Sequence, residues 1–144
     1  MITVKQLLKE KTSSVWTIAP QDTVYKALEI MAEKNVGALV VVEKEIVVGM
    51  FSERDYARNV VLKGKTSKDT SVNELMDGNV CYVRLEQTLE ECMALFTEKR
   101  VRHLPVLEME KLIGLVSIGD AVKQCLADKE LKIQQLENYI TGCY

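Results

Sequence analysis

A serine and an aspartate recur at one spacing behind one kind of apolar run: Gly49 to Asp55 reads GMFSERD, and Gly114 to Asp120 reads GLVSIGD. In both, a hydroxyl and a carboxylate stand three residues apart where an apolar stretch gives way to polar residues. Two chemistries fit. One is local: Ser52 and Ser117 cap a helix, and Asp55 and Asp120 complete a capping box near its positive end. The other is recognition. A strand running into a helix N-terminus offers backbone N–H groups and a hydroxyl to a phosphate. An aspartate one turn in can accept hydrogen bonds from both hydroxyls of a ribose. The spacing leaves both readings open.

The basic residues are distributed unevenly around these corners. KRVRHLPV (99–106) gathers Lys99, Arg100, Arg102 and His103, whereas the matching stretch KNVGALVV has Gly37 and Ala38 in place of Arg102 and His103. The first corner is followed by Arg54 and Arg58, the second by Lys123 alone. A guanidinium fork suits phosphate oxygens. Lys99 and Arg100 fall at a helix C-terminus and read as solvated end charges. Arg102 and His103, at the start of a strand, read as phosphate contacts.

Catalysis is not indicated. His103 is the single histidine, and Cys81, Cys92, Cys125 and Cys143 are widely separated with no C-x-x-C pair, which is too sparse for a His/Cys zinc site. The cysteines read as reduced, mostly buried thiols. There is no P-loop, glycine-rich dinucleotide fingerprint or spaced Ser-His-Asp set. The expectation is a chain that is not an enzyme, with no obligatory cofactor and no metal.

The elements that must hold these corners come from an internal repeat. Val15 aligns with Val80, Thr23 with Thr88, and EKNVGALVVVEKE (33–45) with EKRVRHLPVLEME (98–110), without a gap from Val15 to Arg58. Upstream, VKQLL (4–8) matches VNELM (72–76), so the first copy carries extra residues near KTSS. Each copy reads helix, strand, helix, strand, strand, helix. Val24, Ala27, Leu28 and Met31 fall at helical spacing. Thr88 and Glu91 form a capping pattern, with Asp22 as the cap of the first copy's helix. The paired β-rich runs, ALVVVE with EIVVGMF and HLPVLE with KLIGLVS, are separated by turns too short for a helical crossover and predict hairpins. The boundaries follow: a first repeat over 1–62, a polar linker over 63–71, a second repeat over 72–127, and a helical tail over 128–144. A unit of about 60 residues is marginal alone. Two units pressing sheet to sheet with pseudo-twofold symmetry solve that and leave clefts between them, so the fold class is α/β (α+β) with tandem repeats, each a small sheet with flanking helices.

Composition narrows the partners. The chain has 144 residues, 47% apolar and 28% charged, and a net charge of −2. It has no general attraction for nucleic acid or anionic membrane, so binding of a charged ligand must be local. Trp16, Tyr25, Tyr56 and Tyr82 do not form an aromatic platform among basic residues, which argues against nucleic acid. No apolar run approaches a membrane span, and MITVKQLLKEK lacks a hydrophobic signal segment, so the expected location is the cytoplasm. In the tail, Leu126, Ile133 and Ile140 recur every seven residues with Leu136 between them. Packing on its own domain and pairing across a dimer both fit that spacing.

GMFSERD and GLVSIGD, the RHLPV strand and the doubled helix–strand order resemble the cystathionine β-synthase (CBS) domain pair, or Bateman module, from about Val4 to Lys123. The resemblance implies a stand-alone regulatory module whose clefts take an adenosyl ligand: AMP, ADP or ATP first, S-adenosylmethionine or NAD(H) after them. It implies that Asp55 and Asp120 meet ribose hydroxyls and that Ser52 and Ser117 meet ribose or phosphate. Backbone near Ile18 and Val83, with Val36 and Val101, would line the base pocket. Arg102 and His103 match the basic pair before Leu104 and Pro105 that meets phosphate, with Arg54 and Arg58 within reach. It further implies a homodimer and an effector protein as partner. Gly37 and Ala38 depart from the pattern, so unequal clefts are expected. The rival reading is a dimerisation scaffold with empty pockets.

Overall fold

The computed structural model describes residues 1–10 and 15–141. Helical spacing places Val24, Ala27 and Met31 on the buried face of α2 (Val24–Lys34), and Leu89, Cys92 and Phe96 on that of α5 (Leu89–Lys99). Thr23 caps α2 by accepting from Lys26 N, and Thr88 caps α5 by accepting from Glu91 N. Thr23 therefore takes the capping position that the sequence suggested for Asp22. The Asp22 carboxylate instead accepts from Ala19 N at 3.1 Å and pairs with Lys26 at 3.2 Å.

Each hairpin forms as expected. β2 (Ala38–Glu43) runs antiparallel to β3 (Ile46–Ser52), and β4 (His103–Glu108) to β5 (Lys111–Ser117). Two-residue turns close them, with Lys44, Glu45, Met109 and Glu110 all at positive φ. That twist suits a tight hairpin, although side chains larger than Gly or Asn adopt it at some cost. β1 (Thr17–Ile18) adds to β2 in parallel, and Val83 makes the corresponding single bridge to Val106. Sheet strands β3 and β5 meet between the units.

Two hydrophobic cores result, and they match position for position. One holds Ile18, Val24, Ala27, Met31, Leu39, Val41 and Phe51; the other holds Val83, Leu89, Cys92, Phe96, Leu104, Val106 and Val116. The aromatic member comes from β3 in the first core and from α5 in the second.

The leading helices are exchanged. α1 (Val4–Glu10) buries Val4 and Leu7 in the second repeat's core, while α4 (Val72–Leu75) buries Val72 and Leu75 in the first's. The backbone secures each swap: Val4 N donates to Gln87 O and Leu89 N to Ile2 O, as Val72 N donates to Asp22 O and Val24 N to Thr70 O. The motif glycines permit this contact. A Cβ at Gly49 would lie 2.7 Å from Met76 Sδ and 2.9 Å from the Asp77 carbonyl oxygen, and one at Gly114 would lie 2.7 Å from Leu8 Cδ1. Met76 and Leu8 are themselves matched residues of the repeat.

Candidate functional site

β3 delivers Ser52 to the start of α3 (Glu53–Tyr56), and the full capping box forms there. Ser52 Oγ accepts from Asp55 N at 3.3 Å, and Asp55 Oδ2 accepts from Ser52 N and Ser52 Oγ at 3.0 Å each. β5 delivers Ser117 to α6 (Ile118–Thr141) in the same way: Asp120 N donates to Ser117 Oγ and Ser117 N to Asp120 Oδ2, both at 3.0 Å. The local chemistry read from the spacing is thus present in both copies.

The cap limits the recognition chemistry. Glu53 N donates to Gly37 O at 3.1 Å, and Asp55 N is held by Ser52. Two of the first three helical N–H groups are therefore engaged, so the helix N-terminus is not the open phosphate cradle the sequence suggested. Asp55 Oδ1, by contrast, makes no hydrogen bond among the described residues.

A cleft of about 850 Å³ opens beside the first corner. Ser52, Arg54, Asp55 and Arg58 line one side, and Arg100, Val101, Arg102 and His103 the other. Gly37 and Ala38 border it where the starts of β2 and β4 come together. Arg102 also reaches toward the second corner through its backbone, since Ile118 N donates to Arg102 O at 2.9 Å. The basic stretch of the second copy thus faces the serine and aspartate of the first. This pairing across the repeats could not be read from position in the chain.

Four arginines against Glu53, Asp55 and Asp77 give the cleft wall a positive excess in a chain of net charge −2. None of the four has an ion-pair partner among the described residues. Their exposed guanidinium groups are available to an anion.

The other sequence candidates lie elsewhere. Ile18 and Val83 are buried in the two cores at 4% and 0% exposure, and Val36 packs against the first core. Pro105 is buried with its carbonyl accepting from Val83 N at 2.9 Å. Ile18 pairs with Val41 and Val83 with Val106, which sets both side chains into the cores. Ser117 and Asp120 do not line this cleft either. The cleft wall also has Asp77, Asn79, Val80 and Cys81. Sequence reasoning missed these four, as it did the cleft position of Arg100. The signal was available in the match of VNELM to VKQLL, which carries the chain past β3, but only if the helices were known to swap.

The cysteines fit the reading in part. Cys81, Cys92 and Cys125 are free thiols, of which Cys92 is buried and the other two half-buried; Cys143 lies outside the described residues. Burial, with a smaller contribution from Glu91, pushes the Cys92 thiol up to about 11. Among the described residues no cluster of His, Cys, Asp or Glu could hold a metal ion, and no helix is long and apolar enough to cross a membrane.

Two interlocked repeats of helix, hairpin and capped helix, with a cleft between them, define a tandem-repeat α/β module. The family model for the CBS domain matches residues 2–62 and 72–127, and the chain belongs to that family of regulatory modules. It is 37% identical to the mitochondrial CBS domain-containing protein CBSX3 of Arabidopsis thaliana, in a match spanning 99% of this chain and 73% of that protein. The solved structure of a protein with CBS domains from Burkholderia ambifaria MC40-6 is 52% identical, with a TM-score of 0.84 over 88% of this chain and 95% of that one. A hexameric CBS-CP12 protein from bloom-forming cyanobacteria is 28% identical, with a TM-score of 0.75 over 85% of this chain and 70% of that one.

Proposed function

We propose that the cleft between the Ser52 corner and the Arg100–His103 segment binds an adenine nucleotide, and that occupancy alters the contacts of this module with an effector protein. The carrying observation is the opposition of Asp55, with an uncommitted carboxylate oxygen, to arginines lacking ion-pair partners across a cleft of about 850 Å³. That volume lies within the range of small-molecule sites. In this reading Asp55 Oδ1 accepts from ribose hydroxyls, Val80 and Val101 flank the base, and Arg54, Arg58, Arg100 and Arg102 hold phosphates. AMP, ADP and ATP fit this division better than S-adenosylmethionine, which brings no phosphate. Ligand bridging the two repeats would favour whichever arrangement brings the walls to their bonding distance, and only that difference in affinity can drive a response. The chain acts by binding and not by catalysis.

Isothermal titration with AMP, ADP, ATP, S-adenosylmethionine and NADH tests this. One nucleotide should bind in the micromolar range, roughly −8 kcal/mol. Arg102→Ala should weaken that nucleotide at least tenfold while leaving adenosine unchanged, and Asp55→Ala should weaken both. Asp120→Ala, outside this cleft, serves as the control for loss of a cap. The alternative is a dimerisation scaffold, in which the two Ser-x-x-Asp corners serve only as helix caps. No binding below the millimolar range would overturn the sensor reading and turn it toward this alternative.

A further inference from the structure

α6 is 24 residues long, but only its first half has a domain to pack on. Ala121 is buried and Gln124, Cys125 and Asp128 are half-buried, so the domain lies against that face; every residue from Lys129 to Thr141 is exposed. About 20 Å of helix therefore projects beyond the domain at 1.5 Å per residue. A free helix of this length is marginal in water.

An apolar stripe runs along α6 and into its projecting part. Val122, Leu126, Ile133, Leu136 and Ile140 follow one another at helical spacing and are 41%, 57%, 56%, 62% and 81% exposed. Lys129 falls on the same stripe, where its aliphatic stem can cover apolar neighbours while the ammonium reaches water. The stripe continues past residue 127, where the CBS family match ends.

The edges of the stripe identify what covers it. Glu130 and Glu137 lie along one edge, and Lys132 lies along the other, where it now pairs with Asp128 at 3.1 Å. A twofold axis running parallel to the helices brings the acidic edge of one stripe against the basic edge of its mate. A perpendicular axis brings acidic edge against acidic edge. Flanking charges of opposite sign set the orientation of helix pairs in this way.

We propose that the α6 stripes of two copies of this chain pair as a parallel, in-register coiled coil, with Leu126, Ile133, Leu136 and Ile140 in the seam and Lys132 facing Glu137 of the second copy. This pairing does not rest on nucleotide binding.

The test uses the full chain with Cys143→Ser, so that the terminal thiol does not cross-link. Adding Ile140→Cys and oxidising should give a covalent dimer that the parent does not form. In sedimentation equilibrium, Ile133→Asp should raise the dimer dissociation constant at least tenfold. Lys132→Glu should weaken the dimer, and Lys132→Glu with Glu137→Lys should restore it. A monomeric parent overturns the proposal. So does cross-linking confined to mixtures of Leu126→Cys and Ile140→Cys chains, which reports antiparallel pairing. A dimer indifferent to Ile133→Asp overturns it as well, by placing the interface elsewhere.

Discussion

The two Ser-x-x-Asp corners have the same local structure and different surroundings. Both serines cap, and both aspartates close the box onto the serine N–H. Beyond the first corner the chain makes a four-residue helix and a π-helical turn over Ala57–Val61, keeping Arg54 and Arg58 at the cleft. Beyond the second, it runs directly into α6, with Gly119 and Lys123 at the matching positions. The first corner also faces Arg100, Arg102 and His103, while the positions matching these in the first repeat are Asn35, Gly37 and Ala38. A duplicated motif can thus keep its structural job in both copies while the charge that a ligand would meet collects around one.

The same comparison extends to the cores. Phe51 and Val116 occupy equivalent sites, 0% and 1% exposed. Phe51→Ala should cost about 3–5 kcal/mol and Val116→Ala about 2 kcal/mol in urea unfolding, since the first removes more buried surface and leaves the larger cavity. Equal losses would show that the two cores relax to different extents and would break the parallel.

The motif glycines give a smaller and sharper contrast. At Gly49 a new Cβ meets a backbone carbonyl as well as Met76, whereas at Gly114 it meets only the end of the Leu8 side chain, which can rotate away. Gly49→Ala should therefore cost about 1–3 kcal/mol and Gly114→Ala about 1 kcal/mol or less. A larger loss at Gly114 would mean that α1 is locked more tightly than α4.

The smallest difference concerns titration. Cys92 stands in the second core where Ala27 stands in the first, both 0% exposed. Its folded pKa is raised from 9.0 to about 11, so the unfolded chain gives up the thiol proton first. The stabilisation of the neutral thiol is whole below pH 9.0 and is lost as the pH climbs toward about 11. Stability should fall across that window in the parent and less in Cys92→Ala. In the native protein at mildly alkaline pH, iodoacetamide should label Cys81 and Cys125 before Cys92. Early labelling of Cys92 would mean that the second core opens readily.

Much of this was legible in the residues. The repeat, the hairpins, the helix starting at each serine and the helical positions Val24, Ala27 and Met31 of the first core all follow from spacings of a few residues. Spacing alone does not separate Asp22 from Thr23 as the cap of α2, because both are good capping residues one position apart. The side chains of Ile18 and Val83 lie in the two cores, which leaves the backbone near them as the part that the resemblance assigns to a base. By its spacing Arg100 is a helix-end charge. It is one, in the left-handed conformation that ends α5, and the turn it makes brings it to the cleft.

By itself, the sequence determined what short-range forces settle: caps, tight turns, amphipathic faces and the composition of two similar cores. Those choices are fixed by hydrogen bonds and apolar periodicity within about ten residues. Only the tertiary structure decided that α1 and α4 cross to each other's repeat, and that one repeat's arginines face the other's aspartate. The helices VKQLL and VNELM match so well that their sequences fit either core. The choice rests on which sheet each can reach, while a glycine in each sheet lets Met76 and Leu8 approach.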